Sequence, residues 1–327
     1  MKRILSGMQP SGKLHLGNYF GALKNWVDLQ EDFQCFFFIA DWHALSSLYE
    51  DPRLIKNFSY EMTVDWLSAG LDPEKSTLFL QSKIPEHAEL HLMFSMMVPV
   101  PWLERNPTYK EKQEEVKKVD MSTYGFLGYP VLQAADIVLY RADFVPVGID
   151  QAPHLELSRE IVRRFHNLYK KKVFIEPDAK ISDIPKLNGL DGRKMSKSYD
   201  NAIFLSDTEK EVIKKVKQML TDPARARRDD PGNPDVCNLY PFHKIYSPES
   251  MQDEVAESCR SAKIGCGDCK NMLTETMLEG MRPIMEKRNE IVKKPKDVEE
   301  IIAEGTKKAQ LVATSTLDRA KQAMKFK

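Results

Sequence analysis

No run in this sequence approaches the ~18 consecutive apolar residues that cross a bilayer. The richest stretch is Cys35-Phe36-Phe37-Phe38-Ile39-Ala40, so no membrane partnership is expected. Neither charge predominates, because 48 Lys and Arg balance 48 Asp and Glu, and the overall field does not announce a polyanionic partner. Nucleic-acid binding would have to rest on local patches. Lys170-Lys171-Lys172, Lys214-Lys215-Val216-Lys217 and Arg225-Ala226-Arg227-Arg228 are the candidates, each equally readable as a solvated face. The amino terminus, Met1 to Gly7, is basic but holds only a fragment of an apolar region, unlike a secretory signal, so a cytoplasmic protein is expected. Cysteine is scarce, with five residues. Without a secretory signal this argues against a disulfide framework and for ligation or redox chemistry. There is no GxGxxG fingerprint, which leaves a nicotinamide or flavin reading with no motif.

What is present is an ordinary globular composition, 42% hydrophobic and 29% charged over 327 residues, long enough for about two domains by the usual ~150-residue measure. Short apolar runs at Ile4 to Gly7, Cys35 to Asp41, Ser76 to Gln81, Phe144 onward and Val173-Phe174-Ile175 read as strands. Helix-period segments alternate with them, notably Leu54 to Ala69 closed by Gly70. That alternation predicts an α/β fold, a doubly wound, Rossmann-like parallel sheet. The stretch from about Glu86 to Val119 reads as a helical insertion. Beyond Leu205 the pattern becomes helical and charged, with Gly and Pro marking joints at Pro231-Gly232, Gly265 and Gly305 and a last amphipathic helix over Thr306 to Phe326. The expected division is a sheet domain over residues 1–190 and, over 191–327, a lysine-bearing loop followed by an all-α domain.

Two loops carry the chemistry. Lys194-Met195-Ser196-Lys197-Ser198, introduced by Asp191-Gly192-Arg193, offers two ammonium groups and short hydroxyl donors, suited to clamping a polyphosphate. Pro10-Ser11-Gly12-Lys13-Leu14-His15-Leu16-Gly17-Asn18-Tyr19 follows the first strand and opens a helix, which brings backbone donors close to phosphate. Either alone is as readily a solvated loop; the pair is more specific. Asp41-Trp42-His43 and Asp150-Gln151 stand at carboxyl ends of strands, where ligands of such sheets bind. A helix over Tyr129 to Tyr140, opening with Pro130 in its first turn, sets Tyr129, Gln133, Asp136 and Tyr140 along one face.

His15-Leu16-Gly17-Asn18 and Lys194 to Ser198, about 180 residues apart, resemble the two signature motifs of class I aminoacyl-tRNA synthetases. With Ser6 to Gly12, Ala134-Ala135-Asp136-Ile137 and Gly148-Ile149-Asp150-Gln151, the whole chain is most similar to the bacterial tryptophanyl-tRNA synthetases. The resemblance implies an ATP-dependent ligase that forms tryptophanyl-adenylate with Mg²⁺ and passes tryptophan to tRNA(Trp), a symmetric homodimer, and an anticodon-binding role for the all-α domain. It implies Lys194, Lys197, His15 and Gln9 in catalysis. ATP would be held by Gln9, Ser11, Gly17, Asn18, Asp150, Lys194, Met195, Ser196, Lys197 and Ser198. Tryptophan would be held by Asp136, Tyr129, Gln133, Gln151, Leu5, Gly7 and His43, with Asp136 as acceptor for the indole N–H. Tyrosyl-tRNA synthetases share the motifs and remain the enzymatic alternative. Their first-strand tyrosine is Leu5 here, and a second histidine of their first motif is Asn18, whereas Gln133 matches their pattern. The other alternative is an inactive metal-bearing relative that binds tRNA.

Cys237, Cys259, Cys266 and Cys269 form C-x21-C-x6-C-x2-C, enough thiolates for a tetrahedral S₄ set holding either zinc or an iron–sulfur cluster. A subset of bacterial tryptophanyl enzymes resembles this spacing and carries a [4Fe–4S] cluster, which implies a structural cluster here, beside Arg225, Arg227 and Arg228.

Overall fold

Period-two alternation gives the central sheet two buried faces. In β1 (Arg3–Met8) Ile4 and Leu5 point to opposite sides, and in β2 (Gln34–Ile39) Phe37 points away from Phe36 and Phe38. With β3 (Ser76–Leu80), one face contributes Ile4, Cys35, Phe37, Ile39 and Leu78 to a first core, and the other contributes Leu5, Phe36, Phe38 and Phe79 to a second. The computed structural model describes residues 1–105, 122–148, 152–181 and 187–326. β4 (Phe144–Val147) and β5 (Asp178–Ile181) complete a five-stranded sheet of order β3-β2-β1-β4-β5, every neighbouring pair parallel. The chain winds outward from β1 through β2 to β3, then returns to β4 on the other side. The switch point therefore falls between β1 and β4, and the crevice at their carboxyl ends is where such sheets bind ligands.

The helices order themselves by face. α1 (Leu16–Asn18), a π-helical turn at Tyr19–Leu23, α2 (Lys24–Leu29), α3 (Asp41–Leu48) and α4 (Arg53–Ala69) follow the first two strands. α4 stops at Gly70, whose φ of 114° is the left-handed conformation that ends helices. α5 (Glu86–Ser95) and α6 (Val100–Glu104) begin the expected helical insertion, which from 106 to 121 lies outside the described residues.

Three expectations are corrected. α7 (Tyr124–Leu139) starts well before Tyr129, where Thr123 Oγ1 accepts the Phe126 amide at 3.3 Å, so Pro130 lies inside the helix and forgoes the bond to the Phe126 carbonyl. Val173-Phe174-Ile175 is not a strand. After α8 (Ala152–Tyr169), the amides of Val173 and Phe174 both donate to His166 Nε2 (3.1 and 3.2 Å), and the Phe174 ring packs on Phe94 and Phe165. An apolar triplet reads alike whether it packs as strand or coil. Gly305 is not a joint. It sits within α13 (Pro295–Ala323), where a Cβ would come within 1.9 Å of the Leu78 carbonyl oxygen. Glycine lets this last helix lie directly on β3, the sheet's edge strand, and covering the edge removes a site for unwanted pairing. Leu80 N donates to Thr306 Oγ1 there (3.4 Å).

The other helical elements are α9 (Glu209–Gln218), α10 (Tyr240–Tyr246), α11 (Glu249–Arg260) and α12 (Cys266–Ile291). α12 sends Leu273, Met277 and Met281 into the first core beside β1 and β2. Among the described residues no helix is long and apolar enough to cross a membrane.

Candidate active site

The two sequence loops meet. Leu16 N donates to Ile203 O (2.9 Å) and Leu205 N to Leu14 O (2.9 Å), zipping the segment after the lysine loop onto the segment before α1. Lys197 Nζ reaches Ser11 Oγ at 3.5 Å. A Cβ on Gly12, whose φ is 133°, would meet the Lys197 chain at 3.0 Å, and one on Gly17 would meet the His15 ring at 3.0 Å and the Met195 side chain at 3.7 Å. These glycines let the loops approach without a side chain between them.

His15 caps α1 in a reciprocal arrangement: its Nδ1 accepts the Asn18 amide and Asn18 Oδ1 accepts the His15 amide, both at 3.2 Å. Burial, helped by the Lys197 charge, pushes the imidazole down to about 4. The ring is therefore neutral with Nδ1 as acceptor, so Nε2 carries the proton and is a donor. Lys197 is itself lowered to about 8 by burial, against the pull of Asp65. Lys194 and Ser198 are exposed, Ser196 half-buried and Met195 buried. The lysine loop is shaped by a residue that sequence reasoning missed. Asn201, 2% exposed, donates to Asp191 Oδ1 (2.7 Å) and Lys194 O (3.2 Å) and accepts the Ser196 amide (2.8 Å), with Gly189 leaving room for it. An asparagine after Ser198-Tyr199-Asp200 carries no sequence signal beyond being polar.

Behind the crevice, Asp136 is buried at 1% exposure. Its carboxylate takes His43 Nε2 at 2.7 Å, His87 Nδ1 at 2.6 Å, and Gln81 Nε2 at 2.9 and 3.0 Å to its two oxygens. Burial by itself would raise this acid, but bonds and charge from His43 and His87 outweigh it and hold it at about 2. It is an anion that can only accept. His43 and Tyr129 line a cavity of about 320 Å³, ringed also by Trp42, His91 and Leu132. Gln133 is half-buried on the same helix; Leu5 lies in the second core; Gly7 is exposed where a Cβ would strike the Phe38 ring at 2.4 Å. Gln9 is half-buried and its carbonyl accepts the Ser11 amide (2.8 Å). Asp150 and Gln151 lie outside the described residues. His87 and Gln81 were missed: one falls in the first turn of α5 and the other just after β3, and neither position has a periodic signature.

The four cysteines of the helical region sit at one place. Burial pushes the Cys269 thiol up to about 12, and Cys237, Cys259 and Cys266 are near enough to push it further. Cys266 and Cys269 occupy the first turn of α12, whose amino end favours anions. A Cβ on Gly232 would fall 2.5 Å from Cys259 Sγ, so that glycine leaves the sulfur its place. His243 Nε2 lies 3.4 Å from Cys269 Sγ. Among the described residues no group of three His, Cys, Asp or Glu is arranged to hold a single metal ion. Arg225 is not presented to solvent as expected. It is 9% exposed, with Nη1 3.8 Å from Cys259 Sγ, Nη2 donating to Arg228 O and Ile264 O, and Nε without a partner. Arg227 and Arg228 are exposed. Cys35 is separate, buried in the first core and pushed up to about 12 by burial, a packing residue.

Comparison with known proteins converges. Residues 1–280 match the family model described as tRNA synthetases class I (W and Y). The tryptophan--tRNA ligase of Thermotoga maritima is 52% identical over 324 residues, covering 98% of this chain and 98% of the relative. That of Aquifex aeolicus is 42% identical, covering 98% and 99%. The crystal structure of the Campylobacter jejuni tryptophanyl-tRNA synthetase, complexed with ADP and tryptophan, superposes with a TM-score of 0.89 at 36% identity, covering 98% of this chain and 99% of that one.

Proposed function

The chain belongs to the class I tRNA synthetases of the tryptophan and tyrosine group, and from that premise we infer that it is a tryptophan–tRNA ligase. It activates L-tryptophan with ATP and transfers the tryptophanyl group to tRNA(Trp). The observation that carries the choice of amino acid is Asp136, a buried anion that can only accept. The indole N–H can only donate, so the two are complementary. A tyrosine phenol would leave a buried group short of a partner beside Leu5, and sites of this kind discriminate by roughly 10⁴.

The chemistry asks little of acid or base. Tryptophan's carboxylate is already ionised; its oxygen bonds to the α-phosphorus, the bond to the β-phosphate oxygen breaks, and pyrophosphate leaves with the negative charge. What is needed is alignment and dispersal of that charge. Lys197, beside Ser11 on the first loop, and Lys194 on the exposed arm of the second are suited to it, and Mg²⁺ carried with ATP would supply further neutralising charge. His15 Nε2–H is a neutral donor toward phosphate, and Asn18 fixes the ring. Gln9, Ser11, Gly17, Met195, Ser196 and Ser198 form the walls of the nucleotide crevice, and Asp150 is assigned to the ribose. Tyr129, Gln133, Gly7 and His43 are assigned to the amino acid, and Gln151 is assigned to it by the resemblance.

The four cysteines would hold a [4Fe–4S] cluster, which supplies a covalent tie between the loop at Cys237, α11 and α12. Support comes from four thiols close enough to act on one another electrostatically, and from the buried Arg225 cation beside Cys259, which suits an anionic thiolate set. Arg227 and Arg228 are the basic groups left for tRNA phosphate. Exposed apolar side chains on adjoining helices, Leu45, Tyr49, Leu92, Met96 and Tyr124, support a homodimer through this face. A cytoplasmic site of action accords with tRNA charging.

ATP–pyrophosphate exchange tests the reading. Tryptophan should drive exchange and tyrosine should do so at least ~10³-fold less efficiently; comparable exchange with tyrosine would replace tryptophan as the substrate.

A further inference from the structure

Each Asp136 oxygen accepts two bonds, Oδ1 from His87 and Gln81 and Oδ2 from His43 and Gln81. The three donors are not equivalent. His43 stands on α3 at the wall of the cavity it shares with Tyr129, the two rings 6.5 Å apart. His87 is sealed at 0% exposure, with its other nitrogen 2.7 Å from Tyr140 Oη and its ring among Phe38, Phe79 and Tyr140. Tyr140 is also 0% exposed, its phenol kept neutral by burial.

We propose that His87, buttressed by Tyr140, is the positioning residue that holds the Asp136 carboxylate for the indole N–H, and that His43 is the partner the indole exchanges with. The proposal rests on the tryptophan reading above. Its logic is one of proton counting. An ionised Asp136 accepts only, so His87 Nδ1 must carry a proton, and Nε2 pairs with the Tyr140 hydroxyl. Turning the ring would break both bonds in a place no water reaches, which costs more than either bond contributes. Oδ1 is thereby held still. Oδ2 bonds His43, whose ring lines the cavity, and it loses nothing when one N–H replaces another.

The test compares tryptophan with β-(1-benzothiophen-3-yl)alanine, an isostere whose sulfur cannot donate, in ATP–pyrophosphate exchange by the unsubstituted chain, His87→Gln and Tyr140→Phe. Tyr140→Phe keeps the ring volume and so separates the hydrogen bond from packing. In His87→Gln the KM for tryptophan should rise about 10- to 100-fold, the worth of a hydrogen bond to a charged group, and in Tyr140→Phe by a smaller factor of about 5. The KM for ATP and that for the benzothiophene isostere should hold, so the preference for the N–H compound shrinks. Parallel loss for both amino acids, or an unchanged tryptophan KM in both variants, would overturn the assignment. No tryptophan-driven exchange by the unsubstituted chain would remove the tryptophan reading and this inference with it.

Discussion

Lys197 is a cation held where water is scarce. Burial lowers it to about 8, against the pull of the Asp65 carboxylate. Below that pH it is charged and attracts polyphosphate; as pH rises through about 8 the free enzyme surrenders the proton and the attraction goes with it. The KM for ATP should therefore climb between pH 7.5 and about 9.5 while the KM for tryptophan stays level, because Asp136, held at about 2, is ionised throughout. Steady-state exchange across that range measures it. Lys197→Arg, whose charge persists above ~12, should flatten the ATP profile, though at a lower rate because the fork replaces a point charge. His15, lowered to about 4, should add no inflection near 6.5. Little of this was legible in the chain itself. The lysines and the histidine announced themselves by motif, but burial, which sets their charge, is made by residues distant in sequence. Asn201 and His87 belong to the same class: single polar residues that gain a role only when several donors and acceptors converge on them.

A buried ionic contact reinforces the apolar packing between sheet and helical region. Arg288 on α12 pairs with Glu61 and, through Nε at 2.8 Å, with Asp65 on α4. Asp65 is 1% exposed and pushed up to about 6 by burial, against the pull of the guanidinium. Arg288→Gln leaves that carboxylate buried without its hydrogen-bonded countercharge, a class of change that costs about 3 kcal/mol. The sign with pH follows from the acid. Above about 6 Asp65 is ionised and the missing guanidinium is felt in full; near pH 5 the carboxyl carries its proton and most of the loss disappears. Denaturant midpoints at pH 8 and pH 5 should show the larger deficit at pH 8, and equal deficits would mean that Asp65 is not the group left stranded. At this scale the alternating runs of β1, β2 and β3 and the Gly70 stop of α4 could be read directly. The apolar triplet at Val173 and the glycine at 305 could not, because coil, joint and close helix–strand contact leave the same letters behind.

At the scale of the whole molecule, α12 links the cysteine cluster to the sheet, beginning at Cys266 and meeting α4 at Arg288 near its other end. If the thiols hold an iron–sulfur group as a structural tie, protein isolated without oxygen should contain about four irons and four sulfides per chain and absorb broadly near 400 nm. Cys266→Ser should then lower tRNA charging more than adenylate formation, since adenylate chemistry lies at the sheet. Aminoacylation and exchange assayed on one preparation decide this; equal losses would point to general destabilisation.

The sequence by itself determined the sheet with two buried faces and the two loops that meet beside it, because each is written in local pattern: alternation, glycine placement, a motif. Only the tertiary structure decided which groups stand around that carboxylate, that Arg225 turns inward to the thiols, that α13 closes the sheet edge, and which of the site's groups carry charge. These depend on contacts between residues dozens to hundreds of positions apart, and on the desolvation that such contacts create, neither of which leaves a mark on neighbouring letters.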